Sequence, residues 1–187
     1  MNGRIVILNG VPRSGKSSIG AAIQASFDGI WMNLGVDAIM ATTPKRYLPG
    51  IGLRPGGERP DLEPFIAQSY AALFDTIAAH SRLGLNVVSD LGIHDNYSKP
   101  LGILADMVQR LAGRSLLFVG VRCPVEVIMA RRNADPKGYV AGDGVPEPVR
   151  RWQEAVHTPG NYDLEVDTAA MTPEQCAELI GRALAAA

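Results

Sequence analysis

The chain is poor in the residues that build disulfide-stapled and metal-stapled domains. Its 187 residues include two cysteines, Cys123 and Cys176, with no Cys-x-x-Cys spacing. A disulfide framework is therefore excluded, and buried thiols in a reducing compartment are expected. The three histidines, His80, His94 and His157, share no ligand spacing and join no cysteine, which excludes a structural zinc site. No apolar run approaches the ~20 residues a bilayer-spanning helix needs, so no membrane partner is expected. Charge of neither sign dominates: 18 Lys and Arg face 19 Asp and Glu, for a net charge of -1, and no basic block occurs. That balance gives no surface for nucleic acid. The first strand-like run starts at Arg4, which leaves no room for a secretory leader and points to the cytoplasm. Repeats and low-complexity segments are absent as well. What remains is a chain of 47% hydrophobic residues, enough for one domain, 1–187, with a full core.

Against those absences one stretch stands out. The β-branched run Arg4-Ile5-Val6-Ile7-Leu8-Asn9 leads into Gly10-Val11-Pro12-Arg13-Ser14-Gly15-Lys16-Ser17-Ser18, and Ile19, Ala22, Ile23 and Phe27 follow at helical spacing. This is strand, glycine-bounded loop, helix: the context that gives the Gly-x4-Gly-Lys-Ser signature its meaning. Backbone N–H groups and a helix N-terminus converge there on an anion. Lys16 supplies a mobile positive charge for the β- and γ-phosphates, and the Ser17 hydroxyl can ligate Mg²⁺. The segment Gly10 to Ser18 is the expected nucleotide-binding loop, with ATP and Mg²⁺ as its ligands. Arg13, inside the loop, either reaches a phosphate or is solvated, and solvation is the expected state.

The rest of the chain alternates strand and helix. Strands are expected over 29–37, ending on Asp37, over 85–90, ending on Asp90, over 115–121, and over 161–167. Helices are expected from an Asp61 N-cap to Gly84, over 97–112, over 125–133 after Pro124, over 148–157, and from the capping box at Thr172 to the end. Five strands alternating with helices predict a three-layer α/β/α P-loop NTPase fold with a five-stranded parallel sheet, kinase-like with a lid. Residues 43–60 hold Pro44, Pro49, Pro55 and Pro60 and the cations Lys45, Arg46, Arg54 and Arg59 without any period. They read as a substrate-binding excursion. Residues 131–147 read as the lid region, with a mobile loop over 135–145.

Ligands of such a sheet bind at the carboxyl ends of its strands, where the phosphate loop, Asp37 and Asp90 converge. Asp90, closing an apolar strand, is expected to hold Mg²⁺ beside Ser17; a turn or helix cap is the structural alternative. Asp37, twenty-one residues after Lys16, is expected to accept the proton of an attacking hydroxyl, with a helix cap again the alternative. Arg131, Arg132 and Lys137 could neutralise charge on a transferring phosphoryl group, or could be solvated at a helix C-terminus. His94-Asp95 can border an acceptor pocket. Trp31, Met32, Tyr70 and Phe74 read as core more than as pocket.

The run Ile7-Leu8-Asn9-Gly10 into Ser14-Gly15-Lys16-Ser17, then Trp31 and Gly35-Val36-Asp37, resembles the chloramphenicol phosphotransferase family. So do Val119-Gly120-Val121-Arg122-Cys123 with Arg131, and Tyr162-Asp163-Leu164-Glu165-Val166-Asp167-Thr168. The resemblance implies a fold similar to adenylate and shikimate kinases and transfer of the ATP γ-phosphate to a hydroxyl of chloramphenicol, an antibiotic-resistance function. It implies Lys16 and Ser17 at the phosphates and Mg²⁺, Asp37 as base, and Arg131 in the lid. The chain departs from the family at Val11-Pro12-Arg13 and over 44–60. The open alternatives are a kinase of another small metabolite or nucleoside-like compound and a nucleotide-binding switch or ATPase without acceptor.

Overall fold

A computed structural model describes residues 2–48, 53–134, 144–158 and 160–186. Five parallel strands form one sheet in the order β2-β3-β1-β4-β5: β1 (Ile5–Asn9), β2 (Trp31–Asn33), β3 (Asn86–Leu91), β4 (Leu116–Arg122) and β5 (Leu164–Asp167). The helices are α1 (Lys16–Ser26), α2 (Val36–Thr42), α3 (Glu63–Arg82), α4 (Ile103–Arg110), α5 (Val125–Ala134), α6 (Glu147–Ala155) and α7 (Pro173–Ala186).

Strand β1 is central, and all five of its residues are buried. Because successive side chains point to opposite faces, Ile5 and Ile7 join a core built with α3 and α4, around Ile66, Phe74, Ile77 and Met107. Val6 and Leu8 join the opposite core, with Ile19 and Ile23 of α1 and Cys176 and Ile180 of α7. A strand covered on both faces is why this stretch is uniformly apolar. The two cysteines are free and buried. Among the described residues no helix is long and apolar enough to cross a membrane.

Several expected boundaries move, each for a local reason. The second strand spans only Trp31–Asn33, so Asp37 lies in the first turn of α2 instead of at a strand end. Gly35 intervenes: a Cβ there would lie 2.8 Å from the Asp90 carbonyl oxygen, so only glycine lets the chain pass this close to β3 before turning into the helix. Strand β3 continues one residue past Asp90, to Leu91. The helix expected over 97–112 forms only over Ile103–Arg110. Pro100 disfavours helix before it, and Asp95 Oδ1 instead accepts the Leu101 and Gly102 N–H groups, each at 2.9 Å. Asp61 does not cap α3; it pairs with Arg59 at 2.7 Å, and Leu62 occupies the cap position. The expected capping box of α7 forms reciprocally, Thr172 N to Gln175 Oε1 at 2.9 Å and Gln175 N to Thr172 Oγ1 at 3.3 Å. Much of the expected lid, 135–143 with Lys137, lies outside the described residues, as do residues 49–52 of the excursion.

Phe74 is fully buried between α3 and the sheet. Phe74→Ala is expected to cost about 3–5 kcal/mol of unfolding free energy, read from urea midpoints; a loss below about 1 kcal/mol would contradict this account of the core.

Candidate active site

The loop after β1 owes its shape to two close approaches. Gly10 N donates to Leu91 O at 3.2 Å, and a Cβ on Gly10 would lie 2.6 Å from Val121 O. The chain then turns through Arg13, a non-glycine residue with φ 65, and Gly15, with φ 97. Helix α1 starts at Lys16, and its backbone bonding begins with Ile19 N to Gly15 O. The N–H groups of Lys16, Ser17 and Ser18 thus have no acceptor within the helix, and they face the loop at the positive end of the helix dipole.

Lys16 is 8% exposed. Its Nζ donates to the Gly10 and Val11 carbonyl oxygens, both at 2.9 Å, and lies 3.4 Å from Asp90 Oδ1. Burial pushes its pKa down, and the charge of Asp90 opposes that shift. Ser17 Oγ donates to Asp90 Oδ2 at 2.5 Å. Ser17 of α1 and Asp90 of β3 therefore lie side by side, two oxygen groups that could hold a metal ion.

Two cavities open from this loop, sharing Arg13, Lys16 and Ser17 in their walls. The larger, about 770 Å³, carries Asp37, Asp90 and Asn33 on its polar side and Met40, Tyr70 and Trp152 on its apolar side. Leu53 and Arg54 of the 43–60 excursion also line it. The smaller, about 500 Å³, lies across the loop between Ser18, Arg131, Thr168 and Met171. Asp37 is exposed, and its carboxylate accepts no hydrogen bond from a described residue. Tyr70 is both core and cavity wall, whereas Phe74 and Trp31 are core alone.

The two arginines expected together on the lid part company. Arg131 is a brace: its guanidinium donates to Arg13 O (3.2 Å), Cys123 Sγ (3.4 Å), Thr168 Oγ1 (3.1 Å) and Thr168 O (2.7 Å). Arg132, one position on and so about 100° around the helix, is 5% exposed and borders a small apolar cavity with Val11, Val149 and Trp152. Arg13 is not simply solvated; it is half-buried and donates to Arg131 O at 3.4 Å. Of α6, Trp152 is the residue that reaches the larger cavity. The helical spacing of Val149, Trp152 and Val156, all buried, is the signal that could have found it.

The two distinctive sequence segments, 119–123 and 162–168, prove to be neighbours on β4 and β5. Arg122 pairs bidentately with Glu165, both bonds at 3.0 Å. Gly120 has no side chain because the Tyr162 ring lies against it; a Cβ would sit 2.5 Å from Tyr162 Cδ2. Asp163 Oδ2 accepts the Phe118 N–H at 2.7 Å. Thr168 Oγ1 donates to Ser14 O at 2.6 Å, so this paired unit fixes the phosphate loop from below. Tyr162 Oη accepts from Asn9 Nδ2 at 2.9 Å and lies 2.8 Å from His157 Nδ1. Burial, reinforced by Arg122, pushes the His157 pKa down to about 4, which keeps that ring neutral at neutral pH.

A family model described as chloramphenicol phosphotransferase-like protein matches residues 3–185. The chain belongs to that family. Two Mycobacterium tuberculosis proteins, from strains CDC 1551 and H37Rv and each named a "Putative O-phosphotransferase", are 28% identical to it over 182 residues, covering 90% of this chain and 76% of theirs. Shikimate kinase from Acinetobacter baumannii shares the fold at a TM-score of 0.66 and 13% identity, over 98% of this chain and 94% of that one. The APS kinase of Mycobacterium tuberculosis does so at 0.65 and 18%, over 98% of each chain. A tunicamycin resistance protein of Deinococcus radiodurans follows at 0.62 and 16%, over 96% and 94%. This chloramphenicol phosphotransferase-like chain is thus a phosphotransferase with a kinase fold, acting on a small molecule.

Thr168→Val keeps the shape but removes the hydroxyl between Ser14 O and Arg131. A loss of about 1–3 kcal/mol in unfolding free energy is expected. A urea midpoint equal to that of the unaltered protein would contradict the bracing role.

Proposed function

We propose that the chain transfers the γ-phosphate of ATP to a hydroxyl of a small molecule held in the larger cavity, with chloramphenicol or a related antibiotic as the acceptor. The single observation that carries this reading is the pair of cavities meeting over Lys16 and Ser17, one of them lined by the carboxylate of Asp37. A nucleotide-binding switch has no use for a second cavity with its own carboxylate. Family membership supports the antibiotic, and drug inactivation in the cytoplasm is the biological role proposed.

In this reading the smaller cavity takes the nucleoside, and the N–H groups opening α1 hold the β- and γ-phosphates. Lys16 leaves the Gly10 and Val11 carbonyls for the phosphate oxygens. Asp37 orients the acceptor hydroxyl and takes its proton as the new O–P bond forms and the bond from Pγ to the β-bridging oxygen breaks, releasing ADP. The larger cavity's apolar wall, Met40, Tyr70 and Trp152, holds the body of the acceptor and keeps water from the phosphoryl group. Arg131 acts on the nucleotide side, where its brace keeps the loop in shape; Arg132 is assigned no part in the transfer.

The donor set at Ser17 and Asp90 fits Mg²⁺. Both ligands are hard oxygens, and no group of three or more His, Cys, Asp or Glu among the described residues could hold a metal unaided. That suits an ion which completes its shell with phosphate and water. When bound, Mg²⁺ supplies charge neutralisation on the phosphates.

Incubation with ATP, Mg²⁺ and chloramphenicol is expected to add one phosphoryl group to the drug, read by mass spectrometry. An unmodified drug would remove the antibiotic from the proposal, and ADP formation at the same rate with and without any of a panel of hydroxyl compounds would remove the kinase reading. Asp37→Asn is expected to keep ATP binding and lose on the order of 10²-fold or more in kcat. Transfer at the unaltered rate would show that Asp37 is not the base. Asp90→Asn should raise the Mg²⁺ concentration needed for half-maximal rate; no change would detach Asp90 from the metal.

A further inference from the structure

The wall of the larger cavity contributed by Leu53 and Arg54 lies in none of the strands β1–β5 or helices α1–α7, so contacts from those elements and their loops bear on where it sits. His94 supplies one such contact. It is 1% exposed, stacked on Tyr97 with ring centroids 4.3 Å apart and meeting the edge of Trp152 at 5.1 Å. Its Nε2 lies 2.9 Å from Leu53 O, and the Asn96 N–H points to its Nδ1 at 3.2 Å. A carbonyl oxygen can only accept and an amide N–H can only donate, so one species satisfies both contacts: the neutral ring protonated on Nε2. Burial, which pushes the His94 pKa down, favours that neutral ring.

Other contacts hold the same stretch as well. Gly56 N donates to Asn96 O at 2.8 Å, and Arg151 of α6 pairs with Glu58 at 2.8 Å. Gly57, at φ 64, lies so close to the 94–98 segment that a Cβ would be 2.5 Å from Ser98 N. Of these ties only the His94 bond falls on a residue that lines the cavity, and His94 touches Trp152, which lines it from the other side.

We propose that His94 is a positioning residue for the acceptor: through its Nε2–H bond to Leu53 O it fixes Leu53 and Arg54 as a wall of the larger cavity and sets acceptor affinity without touching the nucleotide. This rests on the larger cavity being the acceptor site.

Two substitutions separate the two ring nitrogens. His94→Asn keeps an acceptor for the Asn96 N–H, as an Asx turn, but loses the donor to Leu53. His94→Gln keeps a donor with the reach of Nε2. One hydrogen bond is worth up to about tenfold in affinity. His94→Asn is therefore expected to raise the acceptor KM several-fold, with kcat and the KM for ATP unchanged, and His94→Gln to restore the acceptor KM. An unaltered acceptor KM in His94→Asn, a parallel rise in the KM for ATP, or a rise in His94→Gln equal to that in His94→Asn would each overturn the proposal. Hydrogen exchange at the Gly56 amide gives a readout that needs no turnover. Exchange should be faster in His94→Asn and near the unaltered rate in His94→Gln, with β1 amides equally protected in all three proteins. If no acceptor is ever phosphorylated, the reading of the cavity fails, while equal Gly56 exchange in all three proteins would overturn the latch itself. Should His94→Asn not fold, the acceptor KM and Gly56 exchange of His94→Gln decide alone, since a change in either contradicts the latch.

Discussion

Lys16 carries its charge into a site that is almost closed to water. An ammonium there is tolerable only if its donors are met, and the Gly10 and Val11 carbonyls and the Asp90 carboxylate meet them. That constraint shapes everything around it. The two carbonyls can point inward only because the loop turns sharply at Arg13 and Gly15. Asp90 can reach only because β3 lies directly beside β1, with Asp90 in register with Leu8. Under the proposed function, a triphosphate entering the loop would bring its own negative charge to Lys16, replace the carbonyls as its partner and make the buried cation an asset for binding.

A loop bent this far needs support, and the support comes from the far end of the chain. Thr168, just after β5, bonds the Ser14 carbonyl, and Arg131 ties Thr168 to the Arg13 carbonyl. The β4–β5 pair that delivers Thr168 is held by the Arg122–Glu165 fork, the Asp163–Phe118 bond and the Tyr162 ring over Gly120. On the other side, Asn9 spends its amide on Val156 O, Tyr162 Oη and the Ile93 N–H. The last residue of β1 thereby joins the phosphate loop to α6 and to the segment carrying His94. The proposed nucleotide and acceptor sides are built against one strand.

Sequence periodicity made the strand–loop–helix unit, the parallel sheet and the Ser17–Asp90 pair legible, because each depends on local pattern or on a rule of α/β topology. The short α4 was harder to read. Its apolar spacing continues backwards past Pro100, and only the Asp95 side chain, taking two backbone N–H groups, shows where the helix cannot begin. The position of Asp37 inside α2 turned on Gly35 passing the Asp90 carbonyl, a tertiary contact with no local signature. Arg131 read as a lid cation because it ends a helix before a glycine-rich loop. Its partners Arg13, Cys123 and Thr168 are spread along the chain and meet only in the folded state. Trp152 lines the larger cavity through packing of the same kind, whereas the position of His94 just beyond Asp90 already placed it near the proposed acceptor pocket.

If the two cavities are the two substrate sites, donor and acceptor meet over Lys16 with no protein nucleophile between them, and the phosphoryl group moves once. The most direct measurement is the stereochemistry at phosphorus, using ATP made chiral at the γ-phosphate by oxygen isotopes, with an accepted hydroxyl compound. Inversion of configuration is the result expected of a single in-line displacement between the two cavities. Retention would mean two displacements through a phosphorylated residue, and would contradict the direct transfer on which this account rests.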